Sequence, residues 1–122
     1  MRNMSFSMTT EQARNQSKTV TRRQAWRNIA PGQLIQQVVK GMGIKKGEKV
    51  EKIHVVRILS TQWQPVSEIT QSDVIKEGFP IWTPEQFIEF YCDAHGIYPE
   101  DVCNRIEFEY VDCEQMDLRK EG

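Results

Sequence analysis

Arg105-Ile106-Glu107-Phe108-Glu109-Tyr110-Val111 alternates charged and apolar side chains as far as Tyr110. Successive strand residues point to opposite faces, so Ile106, Phe108 and Tyr110 turn toward a core and Glu107 and Glu109 toward water. A strand with one wet face needs strand partners and an apolar cover. The segments upstream supply both. Thr83-Pro84-Glu85-Gln86 opens a helix, with Thr83 as cap, Pro84 at the first helical position and Gln86 completing a capping box. Phe87, Phe90, Tyr91 and Ala94 follow at helical spacing, and Gly96 ends the run. Thr70 to Gly78 reads as a shorter helix that stops at the glycine. Phe79-Pro80-Ile81-Trp82 is an apolar loop between them.

The first half is strand-rich. Val50 to Leu59 is the longest early candidate, with Ile53, Val55 and Arg57 expected on one face and His54 facing outward. Leu34 to Val39 and Lys18 to Arg23 are also strand-like, and Ser5-Phe6-Ser7-Met8 suits a short strand. Thr9-Thr10-Glu11-Gln12 starts a brief helix expected to end near Gln16-Ser17, with Thr9 as cap. Pro31-Gly32 is a turn. Gly41 to Lys49 is a loop rich in glycine and lysine that lacks the residue order of a phosphate loop. Strands interspersed with two or three helices predict an α+β fold, a small, partly open β-barrel with helices at one end.

At 122 residues the chain has the length of one domain, and it can bury roughly two-thirds of its unfolded surface. Hydrophobic residues at 39% and charged residues at 27% argue against disorder. No apolar run approaches the roughly 20 residues of a membrane span, and Met1 to Met8 lacks the apolar core of a signal peptide. Three cysteines make an odd and sparse set, unlike a secreted disulfide scaffold. The expectation is a single cytoplasmic domain over residues 1–122 with reduced thiols, ending in a short flexible tail after about residue 113. The net charge of −1 conceals an asymmetry. Residues 1–57 hold twelve Lys/Arg against three Glu, a formal +9, whereas residues 58–122 hold four against fourteen Asp/Glu, a formal −10. Either the basic part attracts a polyanion or the two halves pair in the fold.

Four groups of residues can carry chemistry. Lys18 and Thr21 fall on opposite faces of a regular strand, but meet if the chain turns between them. If they meet, a lysine whose pKa is lowered by burial or by Arg22 and Arg23 can take the threonine's proton. Otherwise 18–23 is a solvated basic strand. Glu77, at a helix C-terminus, is disfavoured by the helix dipole unless a basic neighbour compensates. Cys92, His95, Cys103 and Cys113 have zinc-ligand chemistry but no CxxC pair, and small core thiols explain Cys92 and Cys103. No metal or other cofactor is expected, and neither histidine has a Ser or Cys partner at a triad spacing. Trp26 lies beside Arg22, Arg23 and Arg27, a combination that can stack bases and hold phosphates. Trp63 and Trp82 are placed in loops.

Taken in order, these segments resemble the ASCH family, a branch of the PUA-like β-barrels. The resembling residues are Lys18-Thr19-Val20-Thr21-Arg22-Arg23, Pro31-Gly32 before a strand, and Val66-Ser67-Glu68-Ile69-Thr70. Glu77-Gly78-Phe79-Pro80, Thr83-Pro84-Glu85-Gln86-Phe87 and Arg105-Ile106-Glu107-Phe108 complete the order, over roughly residues 4–112. The resemblance implies a barrel of about five or six strands with a cleft that binds RNA or modified bases. One branch is similar to acetylcytidine amidohydrolases, in which a K-T-x-T-x-R segment supplies a lysine and a threonine and a later glutamate completes the site. Lys18, Thr21 and Glu77 match these positions, with Arg22 or Arg23 available to stabilise an oxyanion. This chain departs from that branch. Arg22 stands where the branch has an apolar residue, Gly41 to Lys52 is inserted, and an acidic tail follows Asp112. It looks closer to a longer form found in bacterial and phage genomes. The resemblance thus implies an amidohydrolase on RNA or modified nucleosides. The alternatives are a non-catalytic RNA-binding module using Arg22, Arg23, Trp26 and Arg27, and an interaction protein with an acidic face. The oligomeric state is left open.

Overall fold

The computed structural model describes residues 1–41 and 47–111. Their five strands are β1 (Arg2–Ser5), β2 (Val20–Arg23), β3 (Leu34–Val38), β4 (Lys52–Pro65) and β5 (Val102–Val111), and their three α-helices are α1 (Thr10–Arg14), α2 (Gln71–Lys76) and α3 (Pro84–His95). A 3-10 turn, Val66–Glu68, follows β4. The strands form one mixed sheet in the order β1-β3-β4-β5-β2, curled into a half-barrel. β1 runs parallel to β3, and the other pairs are antiparallel. The tail expected after residue 113, Cys113 and part of the Gly41–Lys52 insertion lie outside the described residues.

β5 is the spine of the sheet and follows its sequence pattern. Ile106 and Phe108 are buried, Glu109 is exposed, and Phe108 meets Phe6 edge to face. Met4, Phe6, Ile35, Val56 and Ile58 complete the core on this inner face. Cys103, on the opposite face of β5, belongs to a second core with Val66, Val74, Phe87, Tyr91 and Cys92, under α2 and α3. Both cysteines are free and buried, in keeping with core thiols. Among the described residues no cluster of His, Cys, Asp and Glu could hold a metal ion, and no helix is long and apolar enough to cross a membrane.

Several local expectations shift. β1 begins at Arg2, not Ser5, and only the bond from Phe6 N to Val38 O carries its pairing past Ser5. Met4 and Phe6 therefore supply the buried alternation, while Ser7-Met8 turns away. α1 stops at Arg14, and Thr9 makes no side-chain cap; instead the Thr10 hydroxyl donates to Phe6 O at 2.8 Å. β4 extends to Pro65, so Trp63 lies on a strand and not in a loop. Its buried residues are Val56 and Ile58, with Ile53 only partly covered, while Arg57 pairs with Glu109 at 2.5 Å. A run of apolar residues on both faces concealed which was the inner one. His54 turns toward the body of the fold, its Nε2 3.0 Å from Arg14 O and its ring against Tyr110. On α3 Phe87 and Tyr91 are buried as their spacing predicts, Cys92 is buried with them, and Ala94 is exposed.

Candidate active site

β1 and β2 are the two edges of the half-barrel, and the segment after β1 comes close to β2. A cavity of ≈ 140 Å³ lies there, walled by Ser5 to Thr9 on one side, Thr21 to Arg23 on another, and α3 above. Lys18, Thr21 and Glu77 all line it. The approach to β2 explains how residues three apart come to line one cavity. Gln16 takes the left-handed conformation at φ +63°, Lys18 N donates to Gln12 O, and Thr19 N donates to Lys76 O. These bonds keep Lys18 off the regular strand, so the opposite-faces rule does not apply to it.

Glu77 caps the C-terminus of α2. Lys18 Nζ donates to its carboxylate Oε1 at 2.6 Å and to its carbonyl oxygen at 3.0 Å. Arg22 donates from Nη1 to Oε2 at 3.0 Å. The two cations offset both the helix dipole and the loss of hydration, with Lys18 only 3% and Glu77 2% exposed. Burial pushes the Lys18 amine below the ordinary lysine range, although Glu77 pulls the other way. The remaining Arg22 amine donates to Gln64 at 2.8 Å and Asp73 at 2.7 Å. Arg105 grips the same Asp73 with two bonds, at 2.6 and 2.9 Å. Burial alone would raise the Asp73 carboxyl, but the bonds from Arg105 and Arg22 prevail and hold it at about 2.

Arg23 is placed differently. Its Nε donates to Thr21 Oγ1 at 3.0 Å, and its guanidinium lies over the Phe6 ring at 4.9 Å. Burial brings it to about 10, which leaves it cationic at neutral pH. The Arg22 side chain is 0% exposed and bonded to two carboxylates and Gln64, so of the adjacent arginines only Arg23 can meet a ligand. The Thr21 oxygen accepts a charge-assisted bond from that guanidinium, and its own hydroxyl proton remains available.

Phe79, Phe87, Phe90 and Tyr91 give the cavity an aromatic wall, and Tyr91 donates its hydroxyl to Arg22 O at 3.1 Å. His95, one turn beyond Tyr91, also lines the cavity; burial and then Arg23 lower its pKa. Spacing along α3 was the available signal for Tyr91 and His95. Asp73, Gln64 and Arg105 had no comparable sign, because their partners lie 32 to 51 residues away in the chain. Trp26 and Arg27 do not line the cavity. Trp26 packs half-buried against the inner core beneath Arg2, 4.1 Å from its ring, and Arg27 lies over the Trp63 ring at 5.2 Å.

No family model and no curated protein matches the sequence. Solved structures do match the fold. An ASCH domain from Lactobacillus crispatus JV V101 has a TM-score of 0.62 at 12% identity, covering 89% of this chain and 78% of that one. Protein EF3133 from Enterococcus faecalis V583, described with the family model DUF984, has a TM-score of 0.61 at 16% identity, covering 91% and 79%. Hypothetical protein PH0355 has a TM-score of 0.60 at 14% identity, covering 90% and 96%. The chain therefore has the fold of an ASCH domain.

Proposed function

We propose that this chain is an ASCH-domain protein and an amidohydrolase on N-acylated nucleosides, with acetylcytidine as the model substrate. The carrying observation is the buried Lys18–Glu77 pair, 2.6 Å apart, in a cavity that Thr21 also lines. Neutral Lys18 takes the Thr21 hydroxyl proton as the oxygen attacks the acyl carbon. The carbonyl electrons move to the oxygen and return as the carbon–nitrogen bond breaks. Glu77 steadies the lysine ammonium and passes the proton to the departing amine. Water then hydrolyses the threonine ester, releasing the acid. Arg22 is excluded as the oxyanion donor by its burial and its bonds to Asp73 and Glu77.

Incubation with acetylcytidine, followed by mass detection of cytidine, tests the reading. Thr21→Val should lower kcat/KM by about a thousandfold or more with the fold intact, while Thr21→Ser keeps measurable turnover. The rate should rise with pH through a step below the ordinary lysine range, because burial favours the neutral amine. No cytidine from the wild type, or full activity in Thr21→Val, would reject the mechanism.

A second reading is a non-catalytic RNA-binding module. It is favoured by the paired Arg2–Trp26 and Arg27–Trp63 side chains outside the cavity. Binding of a short RNA that weakens steeply with salt, with no change in its mass, would support it.

A further inference from the structure

The charges around the cavity are unequal in a way that deacylation alone does not require. Lys18 and Arg22 share Glu77, while Arg22 and Arg105 share Asp73. Arg23 has no carboxylate in ion-pair range among the described residues. Its Nε is occupied by Thr21, and its Nη1 and Nη2 amines have no hydrogen-bond acceptor among those residues. Contact with Phe6 and the bond to Thr21 fix the plane of the guanidinium, so the outer edge is presented preformed. Such an edge matches two oxygens of a phosphate or carboxylate. Phe79, Phe87 and Phe90 line the same cavity, so a ligand combining a flat ring with an anion satisfies both walls.

We infer that the cavity selects nucleotides over nucleosides, with the phosphate held on the outer edge of Arg23. The inference rests on the nucleoside reading above and adds the anion as the feature recognised. The phosphate can belong to a mononucleotide or to a residue within an RNA chain. For an RNA chain, a stacking surface for a neighbouring base lies two strands away. Arg23, Asn104 and Trp63 stand opposite one another on β2, β5 and β4. At the usual strand spacing, Trp63 is about 10 Å from Arg23. It is 40% exposed, with Arg27 over its ring. A flanking base can stack there.

Two measurements test this. The first uses inorganic phosphate and follows the Arg23 side-chain NH signals by NMR. A saturable shift of those signals is expected, accompanied by a shift of the Thr21 backbone amide that is lost in Arg23→Gln; no shift at Arg23 overturns the inference whatever the protein does to nucleosides. The second compares cytidine with its 5′- and 3′-monophosphates by calorimetry. The preferred monophosphate should bind about ten- to a hundredfold more tightly, as expected for a charge-assisted contact, and Arg23→Gln should bring the ratio close to one. Equal affinities in the wild type, or a preference that survives in Arg23→Gln, overturn it. A phosphate response at Arg23 without binding of either monophosphate also overturns nucleotide selection, and it counts against the nucleoside reading as well. A cytidine-centred trinucleotide separates the two sources. Tighter binding than the monophosphate, lost in Trp63→Ala, identifies a chain, whereas equal binding identifies the mononucleotide.

Discussion

Glu77 neutralises two cations at once, and its removal should be felt throughout the fold. Glu77→Gln leaves the Lys18 amine buried beside a neutral amide. Breaking a buried pair from one side costs about 3–5 kcal/mol. Urea denaturation should show a loss of that size, and Lys18→Met combined with Glu77→Gln should lose less than the two single changes added. Asp73 supplies the pH dependence. Its folded pKa of about 2 lies below the ordinary 3.8. Its contribution is therefore complete above about pH 4 and disappears as pH falls through 2. Linkage makes this about 2 kcal/mol, so stability should fall by that amount over this window in the wild type. Asp73→Asn, already without the contribution, should lack this part of the acid loss.

The short helices act through their ends. α2 stops at Gly78, whose φ of +103° suits glycine, and whose missing side chain lets Gln12 of α1 approach. A Cβ there would sit 2.6 Å from Gln12 Cγ and 2.7 Å from its Cβ. Gly78→Ala should thus cost about 1–3 kcal/mol from backbone strain alone. It should also disturb the adjacent Glu77, seen as a changed pH–rate profile. On α3, Thr83 and Gln86 make the reciprocal capping bonds expected from their spacing, at 3.2 and 2.8 Å. Thr83→Ala should lower the melting stability by about 1 kcal/mol and leave the cavity residues unmoved.

The half-barrel brings the two sheet edges close and sets α3 across the opening. One bond links this lid to the edge strand, from the Tyr91 hydroxyl to Arg22 O. Tyr91→Phe should cost about 1 kcal/mol by thermal or chemical denaturation, the usual net value of such a bond. The ring packing against Phe87 is retained in that variant. The architecture also accounts for part of the charge asymmetry of the chain. At the cavity, Lys18 and Arg22 from the basic half pair with Asp73 and Glu77 from the acidic half. Those cations are consumed by pairing, and Arg23 is left facing the cavity.

Local interactions were legible in the residue order. The alternation of β5, the capping box of α3 and the glycine stop of α2 each depend on neighbours within about four positions, which the chain itself supplies. The face of β4 was not legible, because a strand with apolar residues on both sides has no wet face to orient it. The partners of Lys18 and Arg22 were equally hidden. Spacing offered Lys18 and Thr21 as a conditional pair, but whether they lined one cavity hung on the turn at Gln16 and the bond from Thr19 to Lys76. Burial then fixed their chemistry: it removed water from a lysine and an arginine, and folding placed the acids that compensate them 51 to 59 residues along the chain.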